Sequence, residues 1–356
     1  MTPHLHGLLP EDLASFLRSH DVNVRDAEAR RVLAHVFGGK EGFPTARPVP
    51  KAVEEAVAHL TQRTKLEIVE RGTDPSDGFV KYLFRLPDGA FAEAVRIPLE
   101  KAGKFTVCLS SQAGCAMGCD FCATGRLGLA RSLEAWEIVA QFLAVRDEAP
   151  GEVTGAVYQG QGEPLHNYAN VLRAAAILAH PCGGRISAKA ITISTVGLVP
   201  AIRRYASEGH PYRLIISMTS AIEERRKRLL PVASAWSARE LADAVRTYQQ
   251  SAGGRVTIAW VVMGGINTGE DEVAALRELF AGVPLRINLI DVNDARPDGY
   301  RRASDEELAA FRDALRVLEV PVVRRYSGGA AKHAACGMLA AEVTQSGPAS
   351  SSPRPA

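Results

Sequence analysis

From residue 104 onward the chain alternates short runs rich in Val, Ile and other apolar residues with amphipathic stretches of about ten residues or more. This alternation limits the fold more than any other feature. Strands are predicted at 105–111, 155–160, 189–195, 213–219, 255–261, 285–291 and 320–326. Between them lie stretches with apolar residues at helical spacing, among them LEAWEIVAQFLAVRD, ARELADAVRTYQQ and DEELAAFRDALRVLE. Repeated strand–helix units imply a parallel sheet with right-handed crossovers. Six units or slightly more predict an α/β protein built as a partial (β/α)6 barrel, with its site at the C-terminal strand ends. A flat doubly wound sheet is the competing arrangement.

The flanks read differently. Residues 1–65 carry three helical patterns and predict a small accessory domain, with a helical nucleic-acid module as the alternative. Residues 66–103 hold short β-rich runs separated by Asp74-Pro75-Ser76-Asp77-Gly78 and Pro87-Asp88-Gly89, which predicts a small antiparallel lead-in. The barrel is expected over 104–343 and a disordered Ser/Pro-rich tail over 344–356. A hydrophobic fraction of 46% excludes wholesale disorder. No apolar run reaches bilayer-spanning length, and the start MTPHLHGLLPEDL lacks a secretory pattern, so a cytoplasmic protein with no membrane partner is expected. A formal charge of +2 leaves nucleic-acid binding to local patches. Candidates are Arg225-Arg226-Lys227-Arg228 and the group Arg324, Arg325 and Lys332, although a basic run commonly marks a solvated face.

Cys115, Cys119 and Cys122 fall within eight positions just after the first barrel strand. Such clustering in a large chain without a secretory signal reads as metal or redox chemistry rather than a disulfide framework. Structural zinc wants four closed ligands, and no second C-x2-C pair supplies them. Three thiolates on a four-iron cluster instead leave one iron open. The C-x3-C-x-aromatic-C spacing resembles the signature of radical SAM enzymes. That resemblance implies that the open iron chelates S-adenosylmethionine (SAM) and that a low-potential cluster reduces it.

Gly160-Gln161-Gly162-Glu163-Pro164 follows the next strand; its glycines permit close backbone approach, and Glu163 can pair with a ligand ammonium. Ser194, Ser217-Met218-Thr219, Asn288 and Asn293 sit near other strand ends and outline a rim for SAM. Cys108 lies in the strand feeding the cysteine loop, and Cys336 follows the turn Ser327-Gly328-Gly329 at the expected start of a terminal helix. Lone cysteines are commonly small buried hydrophobes, and Cys182 is left as such. Lys332 and His333 on the same helix face, together with the helix N-terminus, would lower the pKa of Cys336.

The run from Cys108 through Cys122-Ala-Thr-Gly, then Gly-Gln-Gly-Glu-Pro, Ile-Ser-Thr-Val-Gly, Ile-Ile-Ser-Met, Ile-Asn-Leu-Ile and Ala-Ala-Cys336-Gly, resembles the RlmN/Cfr family. These are radical SAM methyltransferases of ribosomal-RNA adenine. The similarity spans about residues 90–340 in order. It implies a [4Fe–4S] cluster on Cys115, Cys119 and Cys122, and two SAM molecules per turnover. SAM contacts would fall to Gly162, Glu163, Ser194, Ser217, Thr219 and Asn293. Cys336 would accept a methyl group, a SAM-derived radical would activate it, and the resulting carbon would add to C2 or C8 of adenine. Cys108 would then resolve the protein–RNA thioether through a transient disulfide, with Glu93 accepting the ring proton. RNA is the implied partner, ribosomal first and transfer RNA second, with an external low-potential electron donor and a monomeric enzyme.

Three segments depart from the family pattern. Met218-Thr219 replaces Leu-His, Asp291-Val292-Asn293-Asp294 keeps only the asparagine of Pro-Trp-Asn-Pro, and Ser327–Ala331 replaces an Arg-Gly-Asp-Asp-like stretch. They leave two alternatives open: a radical SAM enzyme acting on tRNA, a peptide or a small metabolite, and a non-catalytic zinc protein that binds RNA.

Overall fold

The computed structural model describes residues 2–39, 42–44, 46–73, 76–294, 296–325, 328–329 and 335–340. Three helices open the chain: α1 (Pro10–Arg18), α2 (Asp26–Phe37) and α3 (Lys51–Leu60). Leu13 and Leu17, Val32 and Val36, and Val53 and Val57 recur at three- or four-residue spacing and are buried. These side chains belong to the same continuous core as the barrel.

A meander follows: β1 (Glu67–Thr73), β2 (Val80–Arg85) and β3 (Phe91–Pro98). The turn at Pro87-Asp88-Gly89 is closed by the Gly89 N–H donating to Leu86 O at 2.9 Å. Next come β4 (Lys104–Leu109), β5 (Gln112–Gly114), α4 (Ala123–Leu127), β6 (Leu129–Ser132) and α5 (Ala135–Glu148). The pattern then repeats as β7 (Glu152–Tyr158), α6 (Tyr168–Ala179), β8 (Ile191–Thr195), α7 (Val199–Glu208) and β9 (Arg213–Ser217). After α8 (Glu223–Leu229) and α9 (Ala238–Ala252) come β10 (Val256–Val262), α10 (Glu270–Leu279), β11 (Leu285–Asp291), α11 (Asp305–Ala314) and β12 (Val322–Arg325).

One ten-stranded sheet runs β1-β2-β3-β4-β7-β8-β9-β10-β11-β12. Pairing is antiparallel up to β4 and parallel from β4 onward. The lead-in strands therefore extend the barrel sheet, with Val95 of β3 opposite Cys108 of β4. The first and last strands do not pair, so the sheet is a partial barrel. Each strand points alternate side chains outward and inward. Ile191 and Ile193, Leu214 and Ile216, and Ile258 and Trp260 are buried on the helix-covered face. Thr192, Ser194, Ser217, Thr257 and Asn288 take the lumen face. No helix among the described residues is long and apolar enough to cross a membrane.

The N-terminal helices dock on the outside of this barrel. The His4 ring stacks on Trp136 of α5 with centroids 4.0 Å apart, and Arg173 of α6 donates to Gly7 O at 3.1 Å and pairs with Asp12.

Candidate active site

Cys115, Cys119 and Cys122 occupy the connection between β5 and β6, two short strands paired with each other. The Cys115 N–H donates to Gly128 O at 2.8 Å and closes the loop. All three cysteines line one cavity at the C-terminal strand ends, together with Glu163, Ser194, Ser217, Asn293 and Cys336. Burial raises the Cys115 thiol to about 11 and the Cys119 thiol well above its ordinary value, with further elevation from the neighbouring cysteines. Only a bound metal would make these thiolates. Among the described residues no three His, Cys, Asp or Glu side chains converge tightly enough to hold a single metal ion. Cysteine thiolates are the usual ligands of iron–sulfur clusters, and the three that line this cavity supply such a donor set.

Opposite the thiols, Gly162 has φ +94°, and a Cβ there would lie 2.5 Å from the Cβ of Gln112. Only glycine lets this loop pass. It delivers Glu163, which is 2% exposed, onto the cavity wall. Oε1 accepts from the Leu165 N–H and Oε2 from the Val196 N–H, both at 2.9 Å. Burial still outweighs these bonds and raises the carboxyl to about 7. A buried carboxylate without a cation beside it fits a positively charged ligand group. The Ser194 and Ser217 hydroxyls lie 3.5 Å apart at the ends of β8 and β9. The residues present thus fit both a cluster and SAM.

The segment bearing Cys336 is tied to the same cavity. The Ala123 N–H donates to Gly337 O at 2.8 Å, the Thr124 hydroxyl donates to Leu339 O, and Asn293 Nδ2 donates to Cys336 O at 3.3 Å. Cys336 lies in a turn, not at the start of a helix, because these bonds spend its backbone on the cysteine loop. Lys332 and His333 lie outside the described residues. By surface area Cys336 is exposed, which is what substrate access requires. The bulk of surrounding protein nevertheless raises its thiol, and Cys122 adds to the rise, so the expected lowering is not found.

Cys108 is buried and packs with Phe79, Val95 and Leu339, the last from the Cys336 segment. Its thiol is pushed far up by burial and then by the charge of Cys336, while the Gln159 N–H acts in the opposite direction. Gln159 Nε2 lies 3.9 Å from the Cys336 sulfur, so one glutamine touches both cysteines. Glu93 is 1% exposed rather than at the surface. Register places its side chain on the face shared by Val95 and Cys108. Lys81 pairs with it at 3.0 Å, and Gln161 binds it twice, accepting from its N–H at 3.2 Å and donating to Oε2 at 3.4 Å. Gln159, Gln161 and Lys81 were not singled out by sequence; the two glutamines flank Gly160 at a barrel strand end, which is the signal available.

Other expectations are redirected. Thr219 does not line the cavity; it is fully buried at φ +59° and its Oγ1 has no partner among the described residues. Asn288 is mid-strand in β11 and lines a different cavity, not the rim. Arg226 is a strut: 1% exposed, it donates to Met218 O at 3.1 Å and Val196 O at 2.9 Å. Arg225 pairs with Asp271 and Glu272, Lys227 with Glu223 and Glu224, and Arg324 with Asp291. Three residues of the first basic group and Arg324 of the second are therefore committed within the fold.

A family model for the radical SAM superfamily matches residues 109–280, the span holding the cysteine loop and four further barrel strands. A dual-specificity RNA methyltransferase RlmN of Anaeromyxobacter dehalogenans is 34% identical, over 96% of this chain and 92% of its own. The chain belongs to the RlmN/Cfr family of radical SAM RNA methyltransferases. A probable RNA methyltransferase of Anaeromyxobacter sp. strain Fw109-5 is 50% identical over 94% of this chain and 99% of its own. The crystal structure of a radical SAM methyltransferase from Sphaerobacter thermophilus superimposes with a TM-score of 0.87 at 34% identity, covering 96% of this chain and all of that one. Membership of the RlmN/Cfr family implies a [4Fe–4S] cluster and SAM, the two groups that the cavity fits.

Proposed function

We propose that this protein methylates a ring carbon of adenine, C2 first, in RNA, with 23S ribosomal RNA as the target. The carrying observation is that Cys336, the three clustered cysteines and Glu163 share one cavity, with Cys108 held against the Cys336 segment. In this reading Cys115, Cys119 and Cys122 hold the cluster, and Gly162, Glu163, Ser194, Ser217 and Asn293 line the SAM site. When bound, the cluster and SAM supply methyl groups and a hydrogen-abstracting radical, fed by an external low-potential donor. All else falls to the protein.

Cys336, exposed at the cavity rim, carries the methyl carbon as a thioether. Once that carbon is joined to the adenine ring, Glu93 takes the ring proton and the ring gives up one electron, which the oxidised cluster would take back; Lys81 and Gln161 hold the Glu93 carboxylate in place. The Cys108 thiolate then attacks the Cys336 sulfur. A disulfide forms, the sulfur–carbon bond breaks, and its electron pair goes to the methylene carbon, which takes a proton to become methyl. A C–H ring carbon is no nucleophile toward a sulfonium, so two cysteines are needed where a single displacement would fail. The enzyme is read as a cytoplasmic monomer that uses two SAM molecules per product.

Mass-spectrometric mapping of ribosomal and transfer RNA from cells with and without the protein tests the assignment. Loss of one methylated adenine in 23S RNA is expected on deletion. Unchanged adenine methylation in every RNA species would overturn it.

Glu163 makes SAM binding depend on pH. The SAM ammonium needs the carboxylate, and the free carboxyl titrates at about 7. Affinity should fall as pH drops through 7, approaching about tenfold per pH unit on the acid side. In the Glu163→Gln variant the slope should vanish along with most of the affinity. Equilibrium binding on cluster-loaded protein from about pH 6 to about pH 8.5 measures both, and a wild-type affinity flat across that range would contradict the assignment.

A further inference from the structure

The barrel lumen contains a second cavity beneath the first. The upper one takes Ser194, Ser217, Val261 and Ile290 from β8, β9, β10 and β11. The lower one takes Thr192, Ile215, Thr257 and Asn288 from the same four strands, on the same inward face and nearer the N-terminal ends. The two are stacked along the barrel and open at opposite mouths. The lower cavity measures about 960 Å³.

Its charge is one-sided. Lys189, Arg213, Arg255, Arg286 and Arg325 all line it, and no Asp or Glu does. All five are exposed and gather around the N-terminal mouth of the barrel. None of the five has an ion pair or side-chain hydrogen bond among the described residues. The committed basic groups at Arg225–Arg226 and Arg324 make the contrast plain. Deeper in, Asn288 is 4% exposed and its Oδ1 lacks any partner among the described residues. A buried polar atom of this kind calls for an unseen partner, and a carboxamide can present either its oxygen or its NH2 to the space beside it.

We propose that this lower cavity is a binding site for a multiply phosphorylated anion, clasped by Arg213, Arg255, Arg286, Arg325 and Lys189, with Asn288 at its floor. Guanidinium forks bond the paired oxygens of phosphate bidentately, and a polyphosphate offers several such pairs along one molecule. Converging like charges raise the local potential, and one polyanion neutralises several of them together. The phosphates come either from a free phosphorylated compound or from an RNA backbone following the N-terminal mouth. The site does not depend on which RNA is methylated in the upper cavity.

Calorimetric titration of the full-length, cluster-reconstituted protein tests this, with inorganic tripolyphosphate as one probe and a short single-stranded oligoribonucleotide as the other. Tripolyphosphate should bind saturably at one per chain, and Arg286→Gln with Arg325→Gln should weaken it at least about tenfold. Lys189→Gln with Arg255→Gln is the second variant, should the first fail to fold; an unchanged visible cluster spectrum certifies either one. A control losing two charges elsewhere, Lys101→Gln with Arg312→Gln, should bind as the wild type does. Oligonucleotide binding that tripolyphosphate competes away, and that the cavity variants lose, identifies the RNA backbone as the source. Tripolyphosphate binding alone identifies a free phosphorylated ligand. No saturable binding of either probe, or an equal loss in the control, would overturn the proposal.

Discussion

Replacing Cys119 with alanine should strip the reconstituted protein of iron and of visible cluster absorption, and reduce 5′-deoxyadenosine formation from SAM and reductant to background. The cavity fits a group that needs all three thiolates, because the two carboxylates that line it are already held, Glu163 by the Leu165 and Val196 N–H groups and Asp291 by Arg324. Cys119 is 7% exposed, and burial holds its thiol protonated in the absence of metal, so the site gains its charge only on metallation. The β5–β6 ribbon closes the loop through backbone bonds that alanine keeps, so the fold should survive. Circular dichroism separates the two effects. Cys182→Ala should leave iron and turnover unchanged, since Cys182 lies in the loop after α6 and does not line the cavity. A Cys119→Ala protein that still carries a four-iron spectrum and still cleaves SAM would remove the foundation of the reading.

Much of this was legible in the sequence because it is local. The strand at 285–291 was predicted to the residue, since alternating apolar positions and flanking breaks define it without long-range information. The cysteine loop and Gly162 are likewise local: spacing fixes the first, and a required left-handed φ fixes the second. What the sequence could not show is which polar residues are spent on structure. Arg226 reads as part of a basic face and is a buried strut bonded to two carbonyls, one eight residues away and one thirty. The burial of Glu93 depends on Lys81 across the hairpin and on Gln161 from a barrel loop, and neither pairing has a local signature. The helix expected at Cys336 failed for a similar reason. Its backbone is recruited by Ala123 and Asn293, which lie more than forty residues or two hundred residues away in the chain. Asn288 was placed at the rim by its proximity to a strand end, whereas the pleat puts it in the lower half of the lumen.

The second large effect is expected from Cys108→Ala, which should stop turnover and accumulate a covalent complex between the protein and its RNA. Cys108 cannot be the group that first meets RNA, because it is buried beneath Phe79, Val95 and Leu339 while Cys336 is exposed. It can reach Cys336 once the adduct exists, and the electrostatics favour that timing. Part of what raises the Cys108 pKa is repulsion from Cys336. Alkylation fixes Cys336 as a thioether that cannot ionise, so the repulsion a Cys336 thiolate would exert on Cys108 is absent while there is an adduct to resolve. The Gln159 N–H, already directed at Cys108, stabilises the same thiolate. Denaturing electrophoresis and intact-mass measurement should therefore show the RNA-bearing species in Cys108→Ala and not in Cys336→Ala. The double variant should show neither adduct nor product. Glu93→Gln should also accumulate adduct, because the ring proton must leave before the sulfur–carbon bond can break. Clean turnover by Cys108→Ala without any cross-linked species would mean that the thioether is resolved by some other route.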